Sequence, residues 1–166
     1  MEIAFSRSFT TRSESETSRL AADLAPKLCP GDAILLKGGL GAGKTHFARA
    51  LIQARLGAAG RYEDVPSPSY TLVQTYSDGQ VEIWHCDLYR LGHADELLEL
   101  GLEDAFEDAI CLIEWPERLE HLSPSGALVV ELAVGEKEGE REVTVQSSDP
   151  RWQAMFETVR LEDVDA

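Results

Sequence analysis

GGLGAGKT, at residues 38–45, is the stretch from which the rest of the chain is interpreted. It fits the pattern G-x-x-x-x-G-K-[ST] and lies between a short apolar run, 33–37, and a segment with apolar residues at helical spacing, 47–56. In this setting a glycine-rich loop presents backbone N–H groups at the positive end of a helix, where a polyphosphate can be held. The sequence therefore predicts a strand, a phosphate-binding loop and a helix capped by Gly57.

The loop residues have separate predicted roles at a site for ATP or ADP with Mg²⁺. Lys44 is expected to reach the β and γ phosphates, and Thr45 is expected to hold Mg²⁺ through its hydroxyl. The backbone of Gly41, Ala42 and Gly43 is expected to cradle the phosphates. The alternative is a glycine-rich turn between two buried elements, with Lys44 in solvent.

The chain length and composition indicate one domain, residues 1–166. No long uncharged apolar run is present, and the N-terminal residues lack the pattern of a signal peptide, so we expect a cytoplasmic protein without a membrane span. Cys29, Cys86 and Cys111 are widely spaced among apolar residues, which favours reduced core thiols over disulfides or a zinc site.

The formal net charge of −15 argues against broad contact with a nucleic-acid backbone, because phosphate binding requires clustered Lys and Arg. We therefore expect little or no direct nucleic-acid binding. If RNA matters to this protein, another protein is expected to hold it. An acidic surface that serves only solubility is the alternative.

Hydrophobic patterning beyond the loop predicts a mixed sheet. Segments 70–76 and 80–86 flank a Ser-Asp-Gly turn and are expected to form an antiparallel hairpin, and 127–134 with 141–147 are expected to form a second. The apolar run 109–114 suits a central parallel strand buried on both faces. The predicted fold class is α/β, a three-layer fold like that of P-loop NTPases, whose mixed central sheet carries antiparallel hairpins.

Two carboxylates follow predicted strands, at the sheet edge where the phosphate loop is expected. Asp87 ends the first hairpin and Glu114 ends the run 109–114. Because only the run before Asp87 contains polar residues, Glu82 and His85, we place Glu114 nearer the centre as the direct Mg²⁺ partner. Asp87 is expected to act beside it, directly or through a metal-bound water. The alternative for each is a carboxylate that caps the next turn.

For several other residues, the sequence pattern allows two interpretations. Trp115 follows Glu114 and is expected near the nucleotide, although tryptophan is more often part of a core. The segment 65–71 offers hydroxyls on a proline-stiffened backbone, but an ordinary loop is favoured. His85, with His93 and His121, is expected to be structural or solvated. The sequence does not decide whether Arg90 pairs with phosphate or with an acidic neighbour.

Four motifs together resemble the TsaE (YjeE) family of small bacterial P-loop ATPases. They are LGAGKT at 40–45, SPSYTLV at 67–73, HCDLYRL at 85–91 and IEWP at 113–116, and they occur in the family's order. The phosphate loop alone is shared by many proteins, whereas the later three motifs make the resemblance specific. The last fifty or so residues add little to it.

The resemblance implies a weak ATPase that acts in threonylcarbamoyladenosine formation in tRNA by docking on a complex of the TsaD and TsaB proteins. It implies that Lys44 and Thr45 bind phosphates and Mg²⁺, that Asp87 and Glu114 serve metal binding and hydrolysis, and that Trp115 lies by the nucleotide. It also implies that Ser67–Val73 is a nucleotide-sensing loop.

The chain departs from the family pattern at three positions. Gly39 stands where the family usually has Asp, His46 where it has Thr or Ser, and Ser69 where it has Thr. The backbone N–H of His46 can still meet a phosphate, so binding is expected to survive. The lost side-chain contacts are expected to alter affinity or rate.

Two other functions fit the phosphate loop. A P-loop small-molecule kinase needs a lid that brings Arg to the transferred phosphoryl group, and the sequence has no Arg-rich insertion. A nucleotide-binding interaction module with little hydrolysis would keep its function without Asp87 or Glu114.

Overall fold

The strand that precedes the phosphate loop lies inside the sheet, because its neighbours on both sides come from later in the chain. In the computed structural model, which describes residues 2–159 and 162–163, β2 (Ala33–Lys37) pairs in parallel with β5 (Ile110–Glu114) and with β6 (Leu128–Val134). Every residue of β5 is buried. The prediction of a central parallel strand at 109–114 is confirmed.

The remaining strands are β1 (Phe5–Thr11), β3 (Val73–Ser77), β4 (Glu82–Asp87), β7 (Arg141–Ser147) and β8 (Glu162–Asp163). The described residues form an eight-stranded mixed sheet in the order β3-β4-β5-β2-β6-β7-β1-β8. The pairs at both ends are antiparallel, and β4 joins the central parallel strands by pairing with β5. Both predicted hairpins, β3–β4 and β6–β7, are therefore confirmed.

Helices cover both faces of the sheet because residues along its buried strands alternate between two apolar clusters. One cluster joins Ile34 and Leu36 to α1 (Glu14–Leu24) and α2 (Lys44–Ala58). The other places Leu35 with α3 (Glu96–Leu100) and α4 (Leu102–Asp108). In addition, 3₁₀ helices span Ala25–Lys27, Pro116–Leu122 and Pro150–Phe156. The three-layer α/β prediction is confirmed.

The predicted end of the phosphate-loop helix is wrong. Gly57 lies inside α2, which continues to Ala58 and has Ala59 as its C-cap. Gly60, with φ of 74°, is the glycine that takes the left-handed conformation after the helix. Apolar periodicity stops at Leu56, but the helical backbone needs no apolar side chain for its last turn.

Two further expectations need correction. Cys29 is exposed, whereas Cys86 and Cys111 are buried, so the core-thiol prediction is wrong for Cys29. The strand predicted from residue 70 begins only at Val73, because residues 70 and 71 form a turn and Leu72 has φ of 68°. Among the described residues no helix has the length and apolar character needed to cross a membrane.

Candidate functional site

The phosphate loop leaves β2 through a position that only glycine can occupy. Gly38 has φ of 146°, and a Cβ built there would lie 2.5 Å from the carbonyl oxygen of Leu132 in the neighbouring strand. Gly43, with φ of 109°, is the N-cap of α2. Both glycines thus permit backbone conformations that bring the loop back over the end of the sheet.

The first turn of α2 has backbone donors that its own sequence does not cap. An α-helix leaves its first four N–H groups without intrahelical acceptors, and the Gly43 N-cap makes no side-chain hydrogen bond to them. The N–H groups at the start of Lys44–Ala58 and the helix dipole together favour an anion at this position. The loop–helix junction therefore fits a phosphate group.

Lys44 lies against its own loop and an aromatic ring. Its ammonium donates hydrogen bonds to the carbonyl oxygens of Gly38 (2.7 Å) and Gly39 (2.8 Å), and its Nζ is 4.1 Å from the centroid of the Trp115 ring. Burial lowers the pKa of Lys44 despite the opposing charges of nearby carboxylates. Those carboxylates are Glu114, Asp87 and Glu117.

Thr45 and Glu114 are in direct contact. The Thr45 hydroxyl donates to both carboxylate oxygens of Glu114, at 2.8 Å to Oε1 and 3.0 Å to Oε2. Because a hydroxyl has one hydrogen and two lone pairs, this bond leaves oxygen lone pairs of Thr45 available to a cation. Glu114 is only 2% exposed, so its charge is concentrated at the end of β5.

Asp87 lies beside Glu114 and is bound to the hydroxyl-rich loop. The two carboxylates are register partners at the ends of β4 and β5. The Ser69 hydroxyl donates to Asp87 Oδ2 (3.2 Å) and is 2.7 Å from the hydroxyl of Ser67. The backbone N–H of Asp87 also donates to the carbonyl of Leu72 (2.9 Å). The segment that sequence patterning alone favoured as an ordinary loop is therefore attached to a candidate site residue.

Trp115 adopts the left-handed backbone region, with φ of 58°. This conformation is uncommon for a bulky residue and accompanies the turn from β5 into the 3₁₀ helix Pro116–Leu122. The Trp115 ring packs against the Tyr89 ring, with 4.9 Å between the two centroids. The Lys44 ammonium lies over the same Trp115 ring. Arg90, which the sequence left undecided, places its guanidinium over the Tyr70 ring at 4.8 Å.

Sequence reasoning missed a direct partner of Glu114. His85 was expected to be structural or solvated, but its side chain is fully buried and its Nε2 lies 2.6 Å from Glu114 Oε2. The signal that could have found it is the spacing His85-x-Asp87, because alternate residues of a strand share a face. The β4–β5 register then brings that face beside Glu114.

Two more contacts attach the loop–helix junction to distant parts of the chain. Arg141, at the start of β7, donates from Nε to the carbonyl of Ala42 (2.8 Å). The Nε2 atom of His46 lies 2.7 Å from the hydroxyl of Ser18 and 3.3 Å from the carbonyl of Glu14. The side chain of His46 thus connects α2 to α1 and leaves its backbone N–H at the start of the helix.

The residue set fits Mg²⁺ held jointly with a phosphorylated ligand. Among residues 2–159 and 162–163, no cluster of three or more His, Cys, Asp and Glu side chains is arranged to hold a metal by itself. Mg²⁺ at nucleotide sites is bound by few protein groups, with substrate phosphates and waters completing its shell. The hydroxyl of Thr45 with the carboxylates of Glu114 and Asp87 is a donor set of that kind.

Comparison with known proteins agrees with this architecture. The family model described as "Threonylcarbamoyl adenosine biosynthesis protein TsaE" matches residues 11–143. The chain is 42% identical over 120 residues to the tRNA threonylcarbamoyladenosine biosynthesis protein TsaE of Rickettsia bellii, covering 72% of this chain and 81% of that protein. It is 32% identical over 154 residues to the protein of the same name from Bacillus subtilis, covering 92% and 93%.

The fold agrees with a solved structure over nearly its whole length. The crystal structure of YdiB from Bacillus subtilis superposes with a TM-score of 0.73 at 27% identity, covering 95% of each chain. The match extends beyond the phosphate loop and includes the flanking hairpins. The chain therefore belongs to the TsaE family.

Proposed function

We propose that this protein is a weak Mg²⁺-dependent ATPase that serves tRNA threonylcarbamoyladenosine biosynthesis, the process named in its family's description. The observation that supports hydrolysis best is the contact of Thr45 with Glu114 directly beside the phosphate loop. It joins a hydroxyl from the loop–helix junction to a buried carboxylate from the sheet. A protein that only bound phosphate would need the loop but not this pair.

Each residue of the candidate site has a role in this proposal. The N–H groups of Gly41–His46 bind phosphate oxygens, and Lys44 exchanges its contacts with loop carbonyls for the β and γ phosphates. Thr45 and Glu114 would hold Mg²⁺, which would supply positive charge that stabilises the phosphoryl oxygens. Asp87 would orient the attacking water. Because Lys44 and these carboxylates are mostly buried, their electrostatic effect on the phosphates is strengthened.

The loop around Ser69 is proposed to sense the nucleotide. The Ser69 hydroxyl contacts Asp87, and the next residue, Tyr70, is 86% exposed. A movement of Asp87 can therefore change the position of the exposed Tyr70 side chain. Leu40, in the phosphate loop, is 74% exposed and Tyr89 is also exposed. Since Leu40 belongs to the phosphate loop and Tyr89 contacts Trp115, exposed apolar groups lie beside the proposed nucleotide site, which supports a protein partner there.

The partner in this proposal is the TsaD–TsaB complex, which would activate hydrolysis in the cytoplasm. The net charge of −15 supports an arrangement in which the complex, and not this chain, holds tRNA. A rate of ATP turnover that rises when TsaD and TsaB are added together would support the assignment. An unchanged rate would contradict activation by that complex.

Calorimetric titration of ATP and ADP, with and without Mg²⁺, tests the binding part. Lys44→Ala is expected to weaken binding by at least about tenfold, since a buried charge-assisted contact to phosphate is lost. Lys27→Ala, which removes a lysine bonded to the Met155 carbonyl, is the control and is expected to bind as the parent does. A parent that fails to bind Mg-ATP would overturn the proposed function.

Hydrolysis is tested separately from binding. Glu114→Gln and Asp87→Asn are expected to retain nucleotide binding while turnover falls by roughly 100-fold, as is usual when one electrostatic contact to the reacting group is removed. Turnover equal to that of the parent in both variants would contradict the roles of these carboxylates. Variants that lose turnover but keep full function in cells would support a nucleotide-binding module with little hydrolysis. Release of phosphate, rather than transfer to a metabolite, distinguishes the ATPase from a kinase.

A further inference from the structure

The roles assigned above do not use His85, although it contacts their central carboxylate. His85 is in β4, on the same face of the sheet as Asp87, and its register partner is Leu112 of β5. Its side chain is fully buried. A histidine at this position is therefore surrounded by the apolar core and by the end of the sheet that carries Glu114.

All of the described hydrogen bonding of the His85 ring goes to Glu114. Nε2 lies 2.6 Å from Glu114 Oε2, and Nε2 must carry the hydrogen because an ionised carboxylate only accepts. The other nitrogen, Nδ1, is buried and has no hydrogen-bond partner among the described residues. Leaving a buried polar atom unpaired costs free energy, so packing alone gives no reason for an imidazole here.

The Glu114 carboxylate is held from two sides. Thr45 belongs to the loop–helix junction and donates to both carboxylate oxygens. His85 belongs to the sheet and donates to Oε2. The hydrogen bond from His85 therefore fixes the carboxylate relative to the strands, independently of the loop.

We propose that His85 is a positioning residue that holds the Glu114 carboxylate in the orientation at which it meets Thr45. This inference rests on the proposed function, in which Thr45 and Glu114 bind Mg²⁺. Carboxylates that bind metals are themselves oriented by hydrogen bonds, and loss of such a partner typically weakens metal binding by about 10- to 100-fold. His85 acts through Glu114 and touches neither the metal nor the phosphates.

The test is the dependence of ADP affinity on Mg²⁺ concentration, measured by calorimetry. His85→Phe keeps an aromatic ring but removes the donor. It is expected to raise, by at least about tenfold, the Mg²⁺ concentration at which Mg²⁺ has half of its maximal effect on ADP affinity. The affinity for ADP in EDTA is expected to stay within about twofold of the parent, since the phosphate loop is untouched.

The conservative variant separates positioning from packing. The side-chain amide of Gln places a donor near the position of the imidazole Nε2, so His85→Gln is expected to recover most of the Mg²⁺ dependence. His85→Asn, whose shorter amide lies near the position of Nδ1, is expected to recover little. The inference would be overturned if the His85→Phe protein had the Mg²⁺ dependence of the parent, or if the His85→Gln protein needed as much Mg²⁺ as the His85→Phe protein.

Cys86→Ala is the matched control for a buried change in the same strand. Cys86 is fully buried but faces the opposite apolar cluster, so this variant is expected to melt at a lower temperature with an unchanged Mg²⁺ dependence. A shift in Mg²⁺ dependence equal to that of His85→Phe would show a general packing effect and contradict positioning. If the parent itself shows no Mg²⁺ effect, the proposed function is overturned as well.

Nitrogen NMR on the unmodified protein tests the same inference should the Phe variant fail to fold. The His85 ring is expected to show a protonated Nε2 and a bare Nδ1, with the Nε2 resonance shifting on addition of Mg²⁺ with ADP but not of ADP in EDTA. The inference would be overturned by a hydrogen on Nδ1 with none on Nε2, or by an Nε2 resonance that does not shift when Mg²⁺ and ADP are added.

Discussion

The ammonium of Lys44 lies 4.1 Å from the centroid of the Trp115 ring, so the lysine of the phosphate loop is in cation–π contact with the residue that follows the buried Glu114. The same ammonium donates to two carbonyls of its own loop. Any ligand that draws Lys44 toward a phosphate must change its contact with Trp115. The pair is therefore a natural reporter of ligand binding.

Trp115 fluorescence is expected to respond to nucleotide. Mg-ADP should change the emission of the parent protein because the charge beside the indole moves. Trp115→Phe should abolish the change, since Lys44 contacts the Trp115 ring, whereas the indole N–H of Trp84 donates to Glu82 and that of Trp152 donates to the Gly126 carbonyl. A response of the same size in Trp115→Phe would contradict the coupling.

Gly38 and Gly39 should differ sharply in their tolerance of alanine. A Cβ at Gly38 would lie 2.5 Å from the Leu132 carbonyl oxygen with φ at 146°, so Gly38→Ala should lower the free energy of unfolding by about 2 kcal/mol or more. Gly39 has nothing within 4 Å of its built Cβ, so Gly39→Ala should stay within about 0.5 kcal/mol. Urea denaturation measures both. Equal losses would show that the close approach to Leu132 does not limit the loop.

The buried thiol of Cys111 should make the protein less stable in alkaline solution. Burial raises its pKa from 9.0 to about 12, so between these values the folded chain keeps a proton that the unfolded chain loses. The stabilisation is full below pH 9 and is lost as the pH rises toward 12. At pH 10 the loss from this thiol amounts to about 1 kcal/mol relative to pH 8.

The measurement is urea denaturation across that pH range. Cys111→Ala should remove this part of the decline, and Cys29→Ala, at an exposed thiol, should leave it unchanged. Burial also raises the pKa of Cys86, so a smaller decline is expected to remain in Cys111→Ala. A decline as large as that of the parent would show that Cys111 is not a source of it.

Ser69 should control the order of its loop. Ser69→Ala removes the hydrogen bond to Asp87, so amide exchange in residues 67–72 is expected to quicken by several-fold. Ser69→Thr retains a hydroxyl and should exchange as the parent does. Hydrogen exchange followed by mass spectrometry compares the three proteins, and identical rates in all of them would refute the role of this bond.

The parts of the fold that sequence patterns predicted are those with local causes. The loop 38–45, the two hairpins and the apolar run before Glu114 each carry their signal within a few residues. The start of α1 also has a local cause, because the side chain of its N-cap Ser13 accepts a hydrogen bond from the Glu16 N–H. The three-layer arrangement follows once these elements are joined.

The parts that were missed depend on register between distant strands. His85 and Glu114 meet only because β4 pairs with β5 in the observed register, and Arg141 meets Ala42 across most of the chain. The spacing His85-x-Asp87 places both side chains on one face of a strand, but it does not show that β5 supplies the carboxylate. Cys29 was misjudged for a smaller reason, since apolar neighbours do not fix the direction of one side chain in an extended turn.

The central place of β2 also determines when the phosphate loop can form during synthesis. β2 has no strand partner until β5, and its other side stays open until β6 has left the ribosome. Contacts of such long sequence separation close late and slowly. A growing chain therefore carries the loop of residues 38–45 for most of its translation without a supporting sheet. We expect nucleotide to stabilise the nascent protein only after nearly the whole family region has been made.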